Sequence, residues 1–261
     1  MIDTHMQSQR NAGHYTDSEL REMGFAGIGK NVLISRLARI YGASKMSLGD
    51  NIRIDDFVIL SGKITIGSFV HIGAFASITG GSAGVSIGDF CGMSSQSKIF
   101  ALSDDFTSGY LIGPCVPADF RNVRKKPVVL TRHCYIGSHS LVLAGSVFEM
   151  GACLGAMSHA IGRKLKPWSF YLGNPAKKLY DIPAQKVLAL EAQLLEQISG
   201  GGGNPKTLKP HKLHQLEQNH PKLPHHPITD IPPYYLTPLG SCLHRVTSPT
   251  KSKSSRIRQS A

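Results

Sequence analysis

His71, Asp104 and Asp105 are the side chains of this sequence best suited to handling a proton. An imidazole titrates close to neutral pH, so a histidine can take up a proton in one step and return it in the next. The adjacent carboxylates differ, because an ordinary aspartate titrates near ~3.9 and is a weak base at neutrality. Asp104 and Asp105 are therefore expected to grip a polar ligand, with proton uptake by one of them the rival role. Cys115 could serve as a nucleophile, but no histidine adjoins it in sequence. The five cysteines are few and form no Cys-x-x-Cys or Cys/His metal spacing. The chemistry within reach is acid–base chemistry, with no metal expected.

The elements that must hold these groups are written in a six-residue rhythm. A large apolar residue recurs as Ile28, Ile34, Ile40; Leu48, Ile54, Leu60; Ile66, Ile72, Ile78; and Ile87, Met93, Ile99. After a long interruption it resumes as Leu130, Ile136, Val142 and Phe148, Leu154, Ala160. Four residues after most of these stands a small side chain, as at Val32, Ala38, Val58, Val70, Ala76, Cys91, Ser97, Cys134, Ser140, Ser146, Ala152 and Ser158. A helix repeats every 3 to 4 residues and a flat strand every 2, so this period belongs to neither. Three short strands closing one triangular coil of about eighteen residues would explain it, with the large residue filling the interior and the small one fitting beside it. Gly, Ser, Thr or Asp often follows the large residue, as at Gly29, Gly49, Asp55, Gly67, Gly73, Gly88, Thr131, Gly137 and Gly155, and these types tolerate a tight corner. Every irregular gap falls after the third hexad of a coil, the longest from Ile99 to Leu130. The rhythm predicts an all-β chain, a parallel β-solenoid of about six coils with one extruded loop. His71 then faces outward, five residues after Ile66. His133 and His139 each fall three after a large residue, at successive corners of one coil, where contact roles are expected.

The flanks have other characters. Residues 1–27 form an N-terminal arm, polar and expected to fray up to Tyr15, followed by a short helix opened by a capping box at Thr16-Asp17-Ser18-Glu19 and ending near Gly24. The solenoid is assigned to residues 28–180. A C-terminal helix is assigned to residues 181–199, with Val187, Leu188, Leu190, Leu194, Leu195 and Ile198 at helical spacing and Pro183 at the first turn; its stripe is read as core. Residues 200–261 begin with four glycines and are rich in Pro, Ser and His, and are expected to be a disordered basic tail. Its Lys206, Lys209, Lys212, Lys222, Arg245, Lys251, Lys253, Arg256 and Arg258 against Glu217 and Asp230 supply +7 of the formal +12. Aromatic interleaving there is limited to Tyr234-Tyr235, so no nucleic acid partner is expected. With no charged-then-apolar leader and no apolar run near eighteen residues, no stable membrane insertion is expected and a cytoplasmic location is.

The hexads, the extruded loop and the closing Gly173-Asn174-Pro175-Ala176-Lys177 resemble the hexapeptide-repeat acyltransferases. Ser18-Glu19-Leu20, Gly24-Phe25, Arg53-Ile54-Asp55-Asp56-Phe57, Val70-His71-Ile72, Ser103-Asp104-Asp105-Phe106 and Pro114-Cys115-Val116-Pro117 extend the likeness to the bacterial sugar acyltransferases of surface-polysaccharide clusters, over roughly residues 16–197. The resemblance implies a left-handed parallel β-helix working as a homotrimer, and acyl transfer from acetyl-CoA to the amino group of a nucleotide-linked deoxyamino sugar in O-antigen or capsule-type biosynthesis. O-acetylation of a sugar hydroxyl is the alternative, and a non-catalytic scaffold the alternative of another class. His71 is the implied base. In better-known relatives the loop after the Ile99 hexad carries the catalytic histidine, whereas here Ser103-Asp104-Asp105 stands there. The family's zinc sites use histidines five apart plus a third, a pattern that His133 and His139, six apart, do not match. Gly137, Ser138, Gly155 and Ala156 fall where the family meets the pantetheine arm, and Arg163, Lys164, Lys177 and Lys178 where it meets the CoA phosphates.

Overall fold

In a computed structural model, which describes residues 2–199, the hexads close into a parallel β-helix of about 7 turns. The tail read as disordered, residues 200–261, lies outside the described residues. One face stacks Val32–Ile34, Ile52–Ile54, Val70–Ile72, Gly92–Met93, Tyr135–Ile136, Cys153–Leu154 and Ser169–Leu172, each parallel to the next. The other two faces merge because Ile59–Ile66 and Ser77–Ile87 run around a shared corner and pair along both. Leu60, Ile72, Ile78, Ile136, Val142 and Phe148 point inward and are fully buried, each such side chain stabilising the fold by about 1.5–3 kcal/mol.

The sequence reading stopped one turn short. Leu165, Tyr171 and Ala176 are also buried, with Lys164–Leu165 paired to Val147–Phe148 and Ser169–Leu172 to Cys153–Leu154. Tyr171 is not aliphatic and Ala176 comes five residues after it, so the rhythm fades exactly where the coil persists in weaker form. Lys177–Asp181 then folds back antiparallel on Ser169–Leu172 and ends that sheet.

The corners obey a rule that composition hides. Three residues after a large inward side chain the backbone is left-handed, at Asn31, Asn51, Phe57, Phe69, Phe75, Phe90, Gln96, His133, His139, Met157 and Trp168. For a bulky residue this conformation costs about 1–2 kcal/mol, and packing between coils has to offset it. On one edge the offset is visible as a ring stack, Phe69 on Phe90 at 4.8 Å, Phe90 on His133 at 5.2 Å and His133 against Trp168 at 5.7 Å. Gly151 is the same corner position of the intervening coil, with φ +72°, and a Cβ there would lie 2.2 Å from the Trp168 ring. Its missing side chain lets the indole reach His133.

Among the described residues three α-helices flank the solenoid. The arm read as frayed contains α1 (Ile2–Gln9), whose Met6 is buried, and Arg10 ties it down through Asp17 and the carbonyls of Tyr15 and Val32. In α2 (Asp17–Glu22) the capping box forms as read: the Glu19 N–H donates to Thr16 Oγ1 and the Thr16 N–H to Glu19 Oε2. Arg36 of the first coil clamps Glu19 at 2.7 Å and, with Thr16, holds its carboxyl at about 2. The C-terminal α3 (Gln185–Ser199) buries its stripe only in part: Val187, Leu190, Leu195 and Ile198 are exposed, while Leu188 and Leu194 are half-buried. A polar anchor joins them, Glu191 meeting Arg132 and, at 2.8 Å, the His133 Nε2 over the ring stack. No helix among the described residues is long and apolar enough to cross a membrane.

Candidate active site

His71 occupies the outward position of Val70–Ile72, between Arg53 one coil before and Gly92 one coil after. Its side chain is 55% exposed, and its Nε2 meets Asp55 Oδ2 at 2.8 Å. Arg53 Nε donates to the other carboxylate oxygen at 2.7 Å, and its Nη1 reaches Gln9 of α1 at 3.2 Å. Asp55 is only 19% exposed; burial pushes its carboxyl up, but hydrogen bonds from His71 and Arg53 outweigh this and hold it below the usual range. Next along the face, a Cβ on Gly92 would lie 2.9 Å from the Tyr135 ring, so the tyrosine lies across the space left by that glycine. An open groove of about 400 Å³ runs here, lined by His71, Arg53, Asn51, His5, Met6 and Leu194 among others. Sequence reasoning singled out His71 but not the Arg53–Asp55 pair beside it, whose signal was the one-coil spacing from Arg53 to His71.

Asp104 and Asp105 stand elsewhere, at the neck of the extruded loop, where Leu102–Asp104 pairs antiparallel with Val123–Lys125. Asp104 accepts from Arg121 at 2.7 Å and from the Gly113 N–H at 3.1 Å. Asp105 is buried and accepts from the Thr107 hydroxyl at 2.8 Å and from Arg124 at 2.9 Å. Arg121 lowers the Asp104 pKa, and Thr107 with Arg124 lowers that of Asp105. Both carboxylates are thus charged and already engaged in bracing the loop. Within one chain no hydrogen bond or ion pair among the described residues links them to His71.

The residues expected to meet the cofactor divide in two. Gly137 and Gly155 are buried, and their N–H groups already donate between coils, to Leu154 at 2.7 Å and Tyr171 at 2.8 Å. A Cβ on Gly137 would sit 2.4 Å from the Ala156 nitrogen, so this glycine packs backbone on backbone. Ser138 and Ala156 remain accessible, and the Ser138 hydroxyl meets that of Ser94 at 2.7 Å. Ser94 was missed; its signal was a hydroxyl at a corner where Gly73, Gly137 and Gly155 have none. Arg163 donates to the Ala176 carbonyl at 3.0 Å, Lys164 pairs with Glu149 at 2.7 Å and Lys178 with Asp181 at 2.5 Å, while Lys177 is exposed. Cys91 and Cys134 are free, buried and adjacent, the Cys134 N–H pointing at Cys91 Sγ at 3.3 Å. Among the described residues no three His, Cys, Asp or Glu side chains gather as a metal site.

The hexads thus build a parallel β-helix with a braced loop leaving one corner, and comparison with known proteins places it among the acyltransferases. No protein-family model matches it. It is 34% identical over 177 residues, 67% of this chain and 91% of the relative, to dTDP-4-amino-4,6-dideoxy-D-glucose acyltransferase of Escherichia coli, and it belongs to that enzyme's family. Among solved structures it is similar to AntD, an N-acyltransferase from Bacillus cereus, in complex with dTDP and 3-hydroxybutyryl-CoA: 40% identity, 72% of this chain and 98% of that one, TM-score 0.69. An AntD variant holding dTDP-4-amino-4,6-dideoxyglucose and Coenzyme A is 39% identical, over 72% of this chain and 100% of its own, with TM-score 0.69.

Proposed function

We propose that this chain transfers an acyl group from acyl-CoA, acetyl-CoA being the simplest donor, to the amino group of a dTDP-linked 4-amino-4,6-dideoxy sugar. The observation carrying this reading is the likeness, over nearly their whole length, to AntD chains, one holding dTDP-4-amino-4,6-dideoxyglucose with Coenzyme A and another dTDP with 3-hydroxybutyryl-CoA. The free amine attacks the thioester carbon, the tetrahedral intermediate gives its extra nitrogen proton to His71, and it then collapses to the amide with loss of CoA thiolate. The His71 imidazolium passes that proton to the thiolate, giving the CoA thiol and a neutral ring for the next turnover. The Ser94–Ser138 hydroxyl pair offers a donor for the developing oxyanion. Ser138 and Ala156 contact the pantetheine arm, while Gly137 and Gly155 shape the corners beneath it. Arg163, Lys164, Lys177 and Lys178 form a basic end for the CoA phosphates, with Lys177 the cation least engaged within the chain.

A single prism leaves His71 and the Asp104–Asp105 loop apart. A homotrimer supports the reading because the loop of one protomer can roof the His71 face of the next, giving a long cofactor a walled groove. The aspartates then shape the acceptor side. A soluble cytoplasmic enzyme of surface-polysaccharide assembly fits such a substrate. The test is acetyl-CoA consumption across a panel of nucleotide sugars. Turnover confined to 4-amino sugars supports the proposal, turnover of hydroxyl sugars alone favours O-acylation, and no CoA binding at all leaves a scaffold.

A further inference from the structure

Building on His71 as the base, we propose that Asp55 is a positioning residue: it holds the imidazole with its proton on Nε2 and so makes Nδ1 the nitrogen that takes the proton from the substrate amine. An ionised carboxylate only accepts hydrogen bonds. At 2.8 Å from Asp55 Oδ2, His71 Nε2 must therefore be the donor, and the lone pair of the neutral ring lies on Nδ1. That nitrogen has no hydrogen-bond partner among the described residues, and the ring that carries it lines the open groove. Arg53 completes the device. Its Nε occupies Oδ1 at 2.7 Å, so the carboxylate cannot rotate away from the ring without giving up a charged hydrogen bond. Asp55 and Arg53 sit on the coil before His71, joined by the parallel pairing of Ile52–Ile54 with Val70–Ile72, so the geometry is fixed by sheet register rather than by a loop.

The arrangement has a diagnostic variant. In Asp55→Asn, Arg53 keeps the amide oxygen and turns the amide N–H groups toward His71. Nε2 must then accept, the proton moves to Nδ1, and the ring can no longer take a proton from the substrate side. Nitrogen-15 NMR of the labelled full chain reads the tautomer without reference to turnover. The wild type is expected to show neutral His71 protonated on Nε2, and Asp55→Asn on Nδ1, with kcat about tenfold or more lower and KM for acetyl-CoA unchanged. Asp55→Glu, which restores a carboxylate, is expected to return the Nε2–H tautomer and part of kcat. A wild-type ring protonated on Nδ1 overturns the proposal without any variant. So does an Asp55→Asn enzyme that keeps both tautomer and kcat. His71→Asn assayed alongside separates the two readings: if it is slow while Asp55→Asn is not, the base stands and the positioning role falls; if it is fully active, the base itself is wrong.

Discussion

His71 and Asp104 can be told apart by what each variant damages. His71→Asn removes the proposed proton acceptor but little packing, since the ring is largely exposed. An amine acceptor that has already lost its ammonium proton still attacks, so kcat is expected to fall about tenfold rather than vanish. Acetyl-CoA affinity should hardly move; steady-state kinetics with an isothermal titration checks both. Asp104→Asn instead leaves Arg121, 17% exposed, without its counter-charge. Faster proteolysis of the loop should precede any change in the pH profile. The lowered pKa values of Asp104 and Asp105 give the sign of a further effect: the unfolded loop binds protons first, so its bracing is complete above about pH 4 and is lost as pH falls below that. Loop protection measured by hydrogen exchange should accordingly be flat from neutrality down to that point and then drop.

The α3 helix and the ring-stacked edge depend on each other. Glu191 is the only acidic group of α3 seen on the His133–Arg132 corner among the described residues, and its side chain is 10% exposed. Glu191→Ala should release α3, read as faster amide exchange over residues 185–199 with the coils unchanged. Gly151→Ala should act on the same edge from beneath, because its Cβ would enter the Trp168 ring and the backbone there is left-handed. Loss of about 1–3 kcal/mol is expected in a denaturant titration. These contacts show where sequence reading ends. Inward residues were legible because each obeys one local period, and so was the Thr16–Glu19 box, made by neighbours in the chain. The left-handed corner was not, since Phe, His, Met and Trp share it and only the stacking between coils makes them tolerable there. The α3 stripe was legible only in part: its helical spacing is real, but Val187, Leu190 and Ile198 are exposed while Leu188 and Leu194 are half-buried, and the carboxylate of Glu191, outside the stripe, meets His133.

For the molecule as a whole, period and interruptions carried the architecture, and the seventh turn was lost only where Tyr171 and Ala176 weaken the pattern. The site was half legible, since His71 stands out in one strand while its partners Arg53 and Asp55 are contributed by the coil before. The loop aspartates looked available in sequence because Arg121 and Arg124, which occupy them, lie on the far side of the loop. The proposed assembly has its own check: sedimentation equilibrium should give a trimer, and an active monomer would break the shared-groove reading. The most direct measurement is of the product itself. Full-length protein mixed with acetyl-CoA and dTDP-4-amino-4,6-dideoxyglucose should release one CoA thiol per sugar and yield a product whose proton and carbon NMR place the acetyl group on the C4 nitrogen. CoA release without an amide, or an acetyl group on a ring hydroxyl, would contradict the account.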